Sequence, residues 1–263
     1  VFKLQGLMAH DPASKSVLVT GGARRIGAAI AKRFAERGWH VVVHYNRAAE
    51  KARNLAASLP SAEAVQCDLG DTDATQEMIT QLAARLTDWR VLVNNASVFQ
   101  EDSVTALDPA TNRLAMQINA TAPAVMAQTF LAHARSQAGR RVIQLTDQKL
   151  ANPNPDFFSY SMSKHAADSA AKMLSMACKG DDRFYRLAPG AILASHDQSP
   201  EEAERSHKMN LLKRRTSAAE VADAALFLAE GPLANGQELF IDSGQHLLSQ
   251  PRDVIYLARG ETS

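Results

Sequence analysis

The chain predicts an α/β fold, a doubly wound parallel sheet with helices on both faces, and three observations carry that expectation. Short, β-branched apolar runs alternate with stretches of helical periodicity along its length. The runs are nearly continuous in hydrophobicity, as strands covered on both faces require. A glycine-rich turn joins the first run to the first helix. With 263 residues and 46% hydrophobic content, the chain can close one sizeable core. A single domain is therefore expected over residues 15–248, with residues 1–14 as an N-terminal extension and 249–263 as a C-terminal tail.

Lys15-Ser-Val-Leu-Val-Thr20 reads as the first buried strand and ends at Gly21-Gly22. Ile26, Ile30, Ala31 and Phe34 then recur at helical spacing, and Gly38 stops that helix before the strand His40–Tyr45. The alternation continues with a helix over about 48–58, a strand Glu63–Cys67, a helix over about 72–87 and a strand Val91–Asn94. One long helix over about 111–137, a strand Arg141–Thr146 and a helix over about 159–179 follow. A strand Arg183–Leu187, a helix over about 217–230 and a strand Glu238–Asp242 complete a Rossmann-like series.

Two loops are longer than connections usually are, and long loops tend to be functional. One runs from Asp147 to Phe158; the other leaves Pro189-Gly190 and passes Pro200, where the polar stretch Pro200–Asn210 suits a helical lid. Both follow carboxyl ends of strands, where open α/β sheets bind ligands. The first fourteen residues are assigned no role. The tail, with Val254-Ile-Tyr-Leu257, either packs across a subunit boundary or covers its own surface.

Lys and Arg total 29 against 28 for Asp and Glu, so no global positive field exists to gather nucleic acid or an anionic membrane. No apolar run reaches the ~20 residues that span a bilayer, and no signal core opens the chain. Cys67 and Cys178 have no metal-ligand spacing, no metal is expected, and reduced thiols in a cytoplasmic protein are the default.

Thr20-Gly-Gly-Ala-Arg-Arg-Ile-Gly27 lies between strand and helix, where glycines let the backbone approach a pyrophosphate held at a helix N-terminus. The second strand ends His44-Tyr-Asn-Arg47. It lacks the acid that binds a ribose 2′-hydroxyl, and Arg47 suits a 2′-phosphate, so NADPH is expected over NADH. Tyr160 and Lys164 lie four residues apart at the start of a helix and so share a face. A phenol is a poor proton shuttle near neutrality, and a neighbouring ammonium is expected to lower its pKa. Asp147 ends the fifth of the major strands, where partial burial can tune a carboxyl group into a proton donor, or where it serves only as a turn cap beside Ser159 or Ser161.

These motifs resemble the short-chain dehydrogenase/reductase superfamily over about residues 15–248. The turn is similar to its Thr-Gly-x-x-x-[Ala/Gly/Arg]-x-Gly motif, Asn94-Asn-Ala-Ser97 to its Asn-Asn-Ala-Gly segment, and Tyr160-x-x-x-Lys164 to its catalytic pair. Arg25, Ser97, Phe99 and Asp147 resemble the pteridine reductase / dihydromonapterin (dihydrofolate) reductase branch, with Ala48 where that branch has Ser and Ile192 where it often has a polar contact.

The resemblance implies catalytic roles for Tyr160, Lys164, Asp147 and Asn119, the last in a water-linked relay. It implies NADPH contacts from Gly21, Arg24, Arg25, Ile26, Gly27, His44, Asn46, Arg47, Asp68 and Leu69. Asn95, Ala96, Ser97, Lys164, Pro189 and Gly190 are expected to complete that set. Arg25, Ser97, Phe99, Asp147 and Tyr160 are the expected contacts to a small pterin-like substrate. A homo-oligomer, tetramer or dimer, is implied as well. Two rivals stand beside this expectation: an NADPH-dependent carbonyl reductase such as a 3-oxoacyl-carrier-protein reductase, and a non-enzymatic NADP-sensing protein on the same scaffold.

Overall fold

A computed structural model of the chain describes residues 3–5, 14–192, 194 and 198–261. Its strands are β1 (Lys3–Gln5), β2 (Ser16–Val19), β3 (His40–Tyr45), β4 (Ala62–Gln66), β5 (Trp89–Asn94), β6 (Arg141–Leu145), β7 (Arg183–Pro189) and β8 (Glu238–Ile241). Its helices are α1 (Arg25–Glu36), α2 (Ala49–Ser58), α3 (Thr72–Arg85), α4 (Pro109–Met116), α5 (Ala122–His133), α6 (Phe158–Ala177), α7 (Pro200–His207), α8 (Ala218–Glu230) and α9 (Val254–Ala258). The sheet order is β1-β4-β3-β2-β5-β6-β7-β8. Strands β2 to β8 are all parallel.

Side chains alternate across the sheet with the period of two that extended backbone imposes. Val17, Val19, Val41, Val43, Val91 and Val93 enter a core with Ile30 and Phe34 of α1 and Val221 and Leu228 of α8. Leu18, Val42, Leu92 and Val142 enter the opposite core with Met78, Ile79 and Leu82 of α3 and Phe130 of α5. Chain order reverses direction between β2 and β5. That switch point opens a crevice at the carboxyl ends of the strands.

Three sequence expectations need correction. Within the N-terminal extension, Lys3–Gln5 forms a strand pairing antiparallel with Ala64–Gln66 of β4, so part of it has a place in the sheet; residues 1–2 and 6–13 lie outside the described set. The single helix expected over 111–137 is two helices, α4 and α5, joined by a π turn at Gln117–Thr121. Pro123 has no N–H to close on the carbonyl of Asn119 four residues earlier, and the ladder widens there. The lid stretch is helical only over Pro200–His207, opened by a Ser199/Glu202 capping box. Residues 193 and 195–197 of that loop lie outside the described set. Among the described residues no helix is long and apolar enough to cross a membrane.

Candidate active site

The crevice holds a cleft of about 650 Å³ lined from both halves of the chain. Its first wall is the turn between β2 and α1. A Cβ on Gly27 would sit 2.4 Å from the Gly21 carbonyl oxygen, and Gly21 adopts a φ of +61°. Both positions therefore exclude a side chain. The turn is tied down by neutral groups. Thr20 Oγ1 accepts from the N–H groups of Asn95 (2.9 Å) and Ala96 (3.0 Å), and Asn95 Nδ2 donates to the Thr20 carbonyl at 2.8 Å. No side chain caps the first turn of α1, so its amide groups stay available to an anion. Arg24 and Arg25 are exposed beside it. Arg25 has a φ of +54° and donates to the Ala194 carbonyl at 2.9 Å, reaching across to the lid loop.

His44 lines the cleft through its ring, but both of its nitrogens are committed. The Gly21 N–H donates to Nδ1 at 3.1 Å, which fixes Nε2 as the protonated nitrogen facing the Cys67 carbonyl, also at 3.1 Å. Burial pushes its pKa down to about 4. Asn46 Nδ2 donates to Asp68 Oδ1 at 3.1 Å, and the Gly70 N–H donates to the same oxygen. Asn46 and Leu69 line the cleft, whereas Arg47 and Asp68 stand outside the lining and Arg47 is exposed. No acid ends β3 itself; the nearest carboxylate, Asp68, is held by Asn46 and the Gly70 N–H.

The opposite wall holds Tyr160, Lys164 and Asp147, the expected catalytic residues. The Tyr160 hydroxyl donates to Asp147 Oδ2 at 2.5 Å, and Lys149 N–H donates to Asp147 Oδ1 at 2.8 Å. Asp147 is thus a turn cap and a tyrosine partner at once. Ser159 belongs elsewhere, donating to Asp102 and accepting from Asn112. Lys164 Nζ donates to the Leu145 carbonyl at 3.0 Å and lies 5.6 Å from the Tyr160 ring centre. Burial pushes this lysine down to about 8, against the attraction of Asp147.

The expectation that Lys164 lowers the phenol pKa is overturned here. Burial and the adjacent Asp147 carboxylate hold Tyr160 well above the usual phenol range. The hydroxyl therefore keeps its proton and shares it with a carboxylate rather than ionising.

Asn119 is buried in the π turn and does not line the cleft. Its Oδ1 accepts from the Val98 N–H and Ser97 Oγ, while its Nδ2 donates to the Val98 carbonyl and Ser163 Oγ. That side chain holds the loop bearing Ser97 in place and is fully used in doing so. Phe99 stacks on Phe157 at 4.1 Å between ring centres and meets Tyr160 edge-on at 4.7 Å, yet is 41% exposed towards the cleft. Pro189, Gly190 and Ile192 line the floor, where a Cβ on Gly190 would fall 2.8 Å from Asp242 Cβ.

Lining residues that sequence reasoning did not single out include Lys149, His207, Gln245, Asp253 and Ile255. Phe157, beneath them, has a φ of +53°. Lys149 lies two residues beyond Asp147, which is a signal. His207 and Ile255 fall in the lid stretch and the apolar tail run noted in the sequence, whereas Gln245 and Asp253 leave no signal.

Residues 21–246 match the family model described as enoyl-(acyl carrier protein) reductase. The chain belongs to the short-chain dehydrogenase/reductase family. Like other members of this family, it is an oxidoreductase. A dihydromonapterin reductase of Escherichia coli O6:H1 is 25% identical over 238 residues, covering 89% of this chain and 98% of that protein. The crystal structure of an alternative dihydrofolate reductase 1, FolM, from Brucella suis in complex with NADP is 34% identical, with a TM-score of 0.84 over 89% of this chain and 96% of that one. The angucycline C-6 ketoreductase LanV, solved with bound NADP, is 29% identical with a TM-score of 0.81 over 89% and 96%. Within the family the chain thus resembles the pteridine reductase branch.

Proposed function

We propose that this short-chain oxidoreductase uses NADPH to reduce a pterin-like substrate, a dihydropteridine, dihydromonapterin or dihydrofolate. The observation that carries the reading is the 2.5 Å hydrogen bond from Tyr160 to Asp147. Reduction of a C=N bond needs a proton at a ring nitrogen, and a carboxyl–phenol pair is suited to hold and deliver one. The NADP-bound relatives, the side-chain-free turn at Gly21 and Gly27, the uncapped N-terminus of α1 and the acid-free end of β3 all suit NADPH. Arg24 and Arg25 would flank the pyrophosphate, exposed Arg47 would reach the 2′-phosphate from outside the cleft lining, and Lys164 would meet the nicotinamide ribose. When bound, NADPH supplies the hydride.

The chain's own residues do the rest. Once Asp147 takes up a proton from solvent, reversing the hydrogen bond of the resting pair, the carboxyl donates to the Tyr160 oxygen while the phenol proton passes to the ring nitrogen. The relay leaves its negative charge on the Asp147 carboxylate, and Lys164, charged at neutral pH and attracted by that carboxylate, stabilises it. The free face of Phe99 packs against the flat ring, and Ser97 lies beside it at the exposed mouth.

LanV, a ketoreductase, favours a second reading, carbonyl reduction on the same scaffold. The purified protein, mixed with NADPH and dihydromonapterin, dihydrobiopterin or dihydrofolate, is expected to consume NADPH at 340 nm. Absence of turnover with every pterin would remove the substrate assignment. An Asp147→Ser variant that gains turnover on a ketone while pterins stay inert would establish the carbonyl reading instead.

A further inference from the structure

The tail beyond β8 returns to the cleft of its own chain. Asp253, Val254 and Ile255 line it, and Ile255 packs in one buried cluster with Phe157 and Tyr160. Four sets of contacts anchor the segment to separate elements of the site. Arg252 Nε donates to both carboxylate oxygens of Asp156 (2.9 and 3.0 Å), and the Asp253 N–H donates to Asp156 Oδ2 at 2.7 Å. Tyr256 donates to Glu101 at 2.6 Å and stacks on Phe157. Arg205 and Glu202 of α7 hold Ala258 and Arg259. Finally, Asp253 Oδ2 lies 2.5 Å from the buried ammonium of Lys149, the residue whose N–H holds Asp147.

Tyr160 is therefore acted on by carboxylates from two elements, Asp147 on the loop after β6 and Asp253 on the tail, with Lys164 of α6 5.6 Å from its ring centre and Lys149 paired to Asp253. Phe157, stacked on both Phe99 and Tyr256, keeps a left-handed backbone that costs an L residue energy. Strain of this kind persists where surrounding contacts over-determine it.

We propose that Arg252–Arg259 is a specificity-determining wall of the active site supplied by the same chain, and that Asp253, through Lys149, is a positioning residue for the Asp147–Tyr160 pair. The wall bounds the side of the cleft next to Tyr160, so it selects the substrate while leaving the NADPH end untouched. The inference about substrate rests on the reductase reading above; the positioning of Tyr160 does not.

The test uses Asp253→Asn, Asp253→Glu, Ile255→Ala and a chain ending at Gln250. Ultraviolet difference titration against Tyr160→Phe isolates the Tyr160 phenol. For Asp253→Asn its midpoint is expected to fall by roughly one unit as a negative charge is removed. kcat is expected to fall about tenfold, with NADPH affinity within about twofold of the parent. Asp253→Glu restores part of both. Ile255→Ala and the shortened chain raise the KM for a pterin by about tenfold, with NADPH affinity read by fluorescence unchanged. An unmoved phenol midpoint with unchanged kcat in Asp253→Asn overturns the positioning role. An unchanged pterin KM in Ile255→Ala overturns the wall even where the shortened chain does not fold. If the parent reduces no pterin, the reading of function fails, and the titration still decides the role of Asp253.

Discussion

At the α1 end of the cleft, Thr20, His44 and Asn95 fix a glycine turn with uncharged hydrogen bonds, all among residues at the carboxyl ends of neighbouring parallel strands. At the Tyr160 end, Asp147, Lys149, Asp156, Arg252 and Asp253 fix an irregular loop and a tail with charge-assisted bonds between segments about a hundred residues apart. The first arrangement is scaffold: it presents backbone to an anion and depends little on ionisation beyond one neutral histidine. The second is assembled from side chains, stores strain at Phe157, and can change its substrate without altering the sheet. On the proposed function, most of cofactor recognition and substrate recognition fall at opposite ends of the cleft, with Lys164 between them.

The largest test of that separation is Tyr160→Phe. It is expected to lower turnover by about 10²–10⁴-fold, the usual worth of a positioned acid or base, while NADPH affinity by fluorescence titration stays within about twofold. Comparable losses in both would mean the two ends are coupled. Gly27→Ala attacks the other end. A Cβ 2.4 Å from the Gly21 oxygen forces the turn apart, and about a 10²-fold weaker NADPH affinity is expected, with about 1–3 kcal/mol lost in denaturant unfolding.

His44 links the scaffold end to pH. Its folded pKa of about 4 lies below the unfolded value of about 6.5. In that window the unfolded chain binds the extra proton, so the stability is fully present above pH 6.5 and drains away as pH falls towards 4. About 3 kcal/mol is at stake across the window, measured by urea unfolding against a His44→Asn variant, which lacks this slope. Arg47→Ala, the mildest of these changes, is expected to weaken NADPH about tenfold and leave NADH unaffected, consistent with one exposed charge-assisted contact.

Legibility in the sequence follows the same division. The β2–α1 turn, the acid-free end of β3 and the Tyr160–Lys164 pair are local spacings, and local spacing survives in one dimension. Asp147 could be located because it follows a strand. Its second bond, to the Lys149 amide, and the reversal of the Tyr160 pKa both needed coordinates, because burial depends on what packs above the hydroxyl. The π turn had a visible cause in Pro123, four residues after Asn119, but the apolar periodicity on either side runs through it and reads as one helix. The Lys149–Asp253 pair leaves no trace in sequence at all, since nothing in either neighbourhood specifies the other. Val254-Ile-Tyr-Leu257 announced only that something apolar must be covered, not that it would cover Tyr160.

The return of the tail to the cleft also sets an order of assembly. Residues 20–97, which make the scaffold end, leave the ribosome about 155 residues ahead of Arg252, roughly 10–30 s earlier at ordinary synthesis rates. A nascent chain can therefore meet the dinucleotide while its substrate end is still unbuilt, and a ligand already held by the early half would template the closure of the late one.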